Sequence, residues 1–135
     1  MDLFIYSTVS EEYQKRLEDL FRKVFPKEEI RIYRTFDDLS QRLKLPGQEA
    51  SVAVLAPGSR EQLLHILSRR DLLRDLRTIV IAPDHEDETV AIAHRLRPRY
   101  LTHINGDFGD LAAVLRKMVT GHALNESSFA SHLEG

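Results

Sequence analysis

Short apolar runs alternate with stretches of helical periodicity along most of the chain. Leu3 to Tyr6 (LFIY) is compact and apolar enough for a buried strand. Tyr13, Leu17, Leu20, Phe21 and Val24 then recur at three- and four-residue spacing, one face of a helix that Pro26 stops. Glu29 to Thr35 (EIRIYRT) alternates apolar and polar residues, the pattern of a strand exposed on one side. Thr35 and Asp38 have capping-box spacing, opening a short helix with Phe36, Leu39 and Leu43 inward that ends near Leu45, Pro46 and Gly47.

Val52 to Ala56 is a fully apolar strand running into Pro57, Gly58 and Ser59. Ser59 is placed to cap a helix carrying Leu63, Ile66 and Leu67, continued or kinked through Leu72, Leu73 and Leu76. Thr78 to Ala82 (TIVIA) is another fully apolar strand. The turn after it leads into an acidic first helical turn, matched to the helix dipole. That helix runs from about Glu86 to Leu96 and ends before Pro98. Arg99 to Ile104 predicts a fifth strand. A last helix with Leu111, Val114, Leu115 and Met118 on one face closes at Gly121.

Five strands alternating with five helices through short connections predict a parallel sheet with right-handed crossovers and helices on both faces. Continuously apolar strands belong in the centre of such a sheet and the half-polar second strand at an edge. The expected α/β fold is therefore flavodoxin-like, five-stranded, in the order 2-1-3-4-5. Residues 1–120 are expected to form the domain and 121–135 a C-terminal tail or the start of a linker.

The 135 residues suffice for one domain, and 42% hydrophobic with 30% charged residues is a globular balance. A net charge of −2 gives no electrostatic case for general nucleic-acid binding, and no run is long enough to span a membrane. Zero cysteines exclude disulfides, thiolate metal sites and a cysteine nucleophile, and fit a cytoplasmic location.

The stretch RTIVIAPDHEDETVAIAHRLRPRYLTHINGDFGDLAAVLRKMV, Arg77 to Val119, resembles the receiver domains of two-component response regulators. Its sequence of strand, acidic turn, helix, YLTKP-like strand and final amphipathic helix is similar to theirs. Tyr100 falls on the family's switch aromatic and His103 on its lysine. The likeness in element order extends from Leu3 to Thr120.

A receiver needs carboxylates after the first strand and a phosphoacceptor Asp after the third, which together hold Mg²⁺. It also needs a hydroxyl after the fourth strand and a lysine after the fifth. The matching positions here are Tyr6 and Ser7, then Ala56, then Ala82 or Pro83, then His103. The resemblance thus implies a degenerate pseudo-receiver with no catalytic residues, metal or cofactor, acting by phosphorylation-independent protein binding. A signalling or regulatory protein, a second copy, or both would be the partner. The receiver likeness points to the surface of the fourth helix, fifth strand and fifth helix for dimers and partners. The residues concerned are Val90, Ala91, His94, Tyr100, Leu101 and His103. A broad buried stripe would account for the same small and apolar residues, and a hydrogen-bonded filler role for His103.

The other class of function is a small-ligand or nucleotide-binding domain using the loops at Thr8, Gly58 and Asp84. Hydroxyls at Ser7, Thr8 and Ser10 could bind an anion, as could Gly58, Ser59 and Arg60, but helix capping explains both sets with fewer assumptions. Asp84 to Glu88 (DHEDE) is expected to be a solvated helix start, without converging metal ligands. Arg69, Arg70, Arg74 and Arg77, with Arg95, Arg97 and Arg99, form the strongest local charge feature. They could recognise an acidic partner surface or phosphates, but solvation of the base of the sheet and pairing with nearby carboxylates is the expected role.

Overall fold

The computed structural model describes residues 2–45 and 52–120. Its elements, in chain order, are β1 (Asp2–Ser7), α1 (Glu11–Val24), β2 (Glu29–Tyr33), α2 (Phe36–Leu43), β3 (Val52–Ala56) and α3 (Arg60–Ser68). A 3₁₀ turn (Arg70–Leu73), β4 (Arg77–Ala82), α4 (Asp87–His94), β5 (Tyr100–His103) and α5 (Phe108–Thr120) follow. The five strands are all parallel, in the order β2-β1-β3-β4-β5. This is the flavodoxin-like arrangement that the alternation of elements predicts.

Strand alternation divides the core in two. Leu3, Ile5, Val52, Val54, Ile79 and Ile81 face α1 and α5, where Leu17, Phe21, Leu111 and Leu115 meet them. Phe4, Ala53, Leu55 and Val80 face the other way, against Leu39 of α2, Leu63 and Ile66 of α3 and Ala93 of α4. Every residue of β3 is buried, as a central strand covered on both faces requires.

Helix starts are set by hydroxyl caps. Ser10, Thr35 and Ser59 each accept a hydrogen bond from the backbone N–H three residues on, at 3.2 Å in all three cases. Thr35 therefore belongs to α2 and not to the preceding strand, which stops at Tyr33. α3 does not continue smoothly. It gives way at Arg69 to the 3₁₀ turn, whose tighter winding carries Leu73 into the core. α4 ends at His94, earlier than the apolar spacing suggests. Arg97 there takes the left-handed conformation (φ 53°), and its N–H closes on the His94 carbonyl at 3.0 Å. The chain before Pro98 cannot continue as helix. Pro46, Gly47 and the tail from Gly121 lie outside the described residues.

Two adjacent leucines of α3 make the packing testable. Leu63 is fully buried, whereas Leu64 is 44% exposed. Leu63→Ala should cost about 2–5 kcal/mol in urea denaturation, and Leu64→Ala no more than about 0.5 kcal/mol. Equal losses would mean that α3 is rotated about its axis.

Candidate functional site

The carboxyl ends of the strands form a row. Ser7 pairs with Ala56 across β1 and β3, and Ala82 with His103 across β4 and β5. Ser7 and Ala56 are fully buried, and Ala82 nearly so. The Ser7 hydroxyl is buried and makes no hydrogen bond among the described residues. Tyr6 points to the opposite face of the sheet, against Phe36, and Pro83 is half-buried in the turn beyond Ala82. The row thus presents two methyl groups and an inaccessible hydroxyl, with an imidazole at its far end.

In an open sheet of this order, ligands bind where the chains leaving β1 and β3 diverge to opposite faces. Here those two loops are tied to each other. The Thr8 N–H donates to the Ala56 carbonyl at 3.2 Å. The Gly58 N–H is shared between the Thr8 hydroxyl (2.8 Å) and Gln62 Oε1 (3.1 Å). The Thr8 hydroxyl in turn donates to Gln62 Oε1. Burial pushes the Tyr6 phenol above its ordinary pKa, and a hydrogen bond with the Thr8 side chain offsets part of that shift. Glycine is required at position 58, because a Cβ there would lie 2.9 Å from the Thr8 carbonyl oxygen. The loops at Thr8 and Gly58 are thus bonded to one another.

An opening remains on one flank. Between the start of α2 and the outer side of α3 lies a cleft of about 720 Å³, bordered by Tyr6, Arg34, Phe36, Gln62, Leu64 and His65. The Phe36 ring meets those of Tyr6 and His65 edge-on, with centroids 5.7 Å apart in each case. Arg34 donates to Gln14 Oε1 at 2.6 Å. The sequence reading did not find this cleft. Its one sequence signal was Leu64, an apolar residue out of phase with the buried stripe of α3.

At the other side of the row, Arg60 is engaged by groups of the chain itself. Its guanidinium donates to the hydroxyl of fully buried Thr89 (2.9 Å) and to Glu88 (2.7 Å), and approaches Glu86 at 3.6 Å. Asp84 accepts the Glu86 N–H at 2.9 Å. That bond, with help from the Thr89 hydroxyl, lowers the Asp84 carboxyl below the usual carboxylate range. The acidic turn is therefore held by its own backbone and by Arg60. Among the described residues, no group of three or more His, Cys, Asp or Glu is arranged to hold a metal ion. His103 stacks at a tilt on His85, ring centroids 5.2 Å apart, and its Nδ1 accepts the Asn105 N–H at 3.3 Å.

Of the contact residues that the resemblance implies, Val90, Ala91 and His94 lie on α4 and Tyr100, Leu101 and His103 on the edge strand β5. Ala91 and His94 are exposed, and Val90, Tyr100, Leu101 and His103 are half-buried. The strand divides them. Leu101 packs on the core under α4, whereas Tyr100 packs on the α5 side. Burial, then the nearby Asp110 carboxylate, raises the Tyr100 phenol above its ordinary pKa. The patch thus wraps around the sheet edge instead of lying on one face.

No family model, curated protein or solved structure matches the chain. Among the described residues, no helix is long and apolar enough to cross a membrane.

Thr8→Val should cost about 1–3 kcal/mol in urea denaturation, since it removes the hydroxyl at the centre of the loop tie. An unchanged midpoint would show that the tie adds no stability. Asp84 gives a pH test. Its folded pKa is depressed, so the stability it supplies is present above the unfolded value of about 3.9 and lost as pH falls through the folded one. Asp84→Asn should therefore lower the melting temperature at neutral pH, by a margin that shrinks steadily on acidification below about pH 4.

Proposed function

We propose that the chain is a receiver-type domain that has left phosphoryl transfer behind and acts as a protein-interaction module. It would engage a regulatory partner or a second copy along α4 and β5. The observation that carries this reading is the closed row of strand ends. Ala56 stands where a receiver's phosphoacceptor would, and its methyl group is fully buried beside Ser7. The tie between Thr8, Gly58 and Gln62 covers the neighbouring crevice. A phosphoacceptor has to be reached by its donor, and a buried methyl offers neither an oxygen nor access.

Two variants test the proposal. Ala56→Asp restores the acceptor but places a carboxylate in an apolar, closed position, which burial penalises strongly. It should lower the melting temperature and gain no stabilisation from Mg²⁺ with beryllofluoride. Protection by that mixture would mean that the site still accepts a phosphoryl group. Ala91→Arg should abolish association in analytical ultracentrifugation while leaving the circular dichroism spectrum intact. Unchanged association would remove α4 from the contact surface.

The cleft beside Tyr6 favours a second reading, as a small-ligand domain. It shifts the candidate site from the loops at Thr8, Gly58 and Asp84 to their flank. Saturable thermal stabilisation by a nucleotide or flavin, lost on Phe36→Ala but retained on Ala91→Arg, would favour that reading over the interaction module.

A further inference from the structure

The end of the sheet opposite this site carries a concentration of charge that the overall balance conceals. Both the α3–β4 and the α4–β5 connections arrive there, because β4 and β5 begin side by side. The Arg99 N–H bonds the Thr78 carbonyl at 2.7 Å, and Ile79 pairs with Tyr100. Residues 69–77 and 95–99 contribute seven arginines and two aspartates, Asp71 and Asp75, a net of +5 in a chain whose total is −2.

Three ordinary explanations fall short. Arginines at helix C-termini offset the macrodipole, but each helix end amounts to only about half a negative charge. The ends of α3 and α4 therefore account for about one unit of the five. Pairing with carboxylates is equally insufficient. Arg74 lies 3.6 Å from Asp71, and Arg70 donates to the Leu67 carbonyl at 3.3 Å. Arg77 is held by the Met118 carbonyl. The side chains of Arg69, Arg95, Arg97 and Arg99 have no hydrogen-bonding or ion-pair partner among the described residues. Finally, turn geometry does not call for an arginine at position 97. Its left-handed backbone is the conformation that glycine adopts at least cost.

We propose that this basic end binds the phosphodiester backbone of duplex nucleic acid. Guanidinium groups suit phosphate oxygens, which they can bind through paired N–H donors. The exposed side chains of these two connections, residues 70, 71, 74, 75, 95, 97 and 99, are all charged. A stable protein interface needs an apolar centre, and these exposed positions provide none. They also include no aromatic ring on which an unpaired base could stack, which favours backbone contact with a duplex over reading of a single strand. The proposal is independent of the contact surface on α4 and β5.

The test is fluorescence anisotropy of the full chain with a labelled 20-base-pair duplex of arbitrary sequence, as DNA and as RNA. With three to four phosphates neutralised, the binding constant for duplex DNA should fall roughly 40- to 150-fold between about 50 and 200 mM salt. Sequence should have little effect. The triple change Arg95→Glu, Arg97→Glu and Arg99→Glu should abolish binding, and Lys15→Glu on α1 should not. Arg97→Gly separates charge from folding: it should weaken binding several-fold while melting at or above the wild-type temperature. Absence of binding at low salt would overturn the proposal, as would binding unaffected by the triple change. Preference for polyglutamate or for phosphatidylserine vesicles over both duplexes would also overturn it, in favour of an acidic protein or a membrane surface.

Discussion

All five strands run in the same direction, and the rest of the molecule follows from that constraint. Parallel strands need a crossover between each pair, and each crossover returns through a helix antiparallel to the sheet. Every helix therefore begins at the carboxyl end of the sheet and finishes at the amino end. Its partial positive charge lies at the first and its partial negative charge at the second. The charged residues follow this polarity. Glu11, Glu12, Asp37, Asp38, Glu61, Asp87, Glu88 and Asp110 occupy first helical turns, and the arginine-rich connections collect at the opposite end. A net charge near zero can thus conceal local concentrations of either sign.

The architecture was largely legible in the sequence because its signals are local. A strand buried on both faces has to be apolar at every position, and VAVLA and TIVIA are. Hydroxyl residues before periodic segments became caps at Thr35 and Ser59 as their spacing implied. The differences arose where local signals compete. Arg97 and Pro98 ended α4 although Leu96 keeps the apolar spacing, and Leu96 is buried from the turn instead. The kink after Leu67 was open in the sequence, because a 3₁₀ turn and a continued α-helix place Leu73 on similar sides.

The site was legible in part. Ala56 and Ala82 at strand ends could be located from the strand boundaries alone. The tie between Thr8, Gly58 and Gln62 could not, since it joins residues 54 positions apart, and a glutamine on a helix announces no partner. In the sequence, Arg60 beside Gly58 and Ser59 suggests an anion contact. Its actual partner is Thr89, on another helix. The cleft at Phe36 is a space between the start of α2 and the outer side of α3, and a sequence has no direct sign for a space. The arginines were visible, but the sequence alone could not show which of them lack carboxylate neighbours.

Arg60 links parts that the sheet alone would leave separate. It is the first residue of α3, two positions from Gly58, and its side chain ends in the first turn of α4. Gly58 is bonded to Thr8, which opens the path to α1. A short, continuous chain of bonded contacts therefore runs from Thr89 through Arg60 and Gly58 to Thr8. It lies across the ends of β1, β3 and β4, so the start of α4, the first turn of α3 and the loop beside the cleft share one bonded framework.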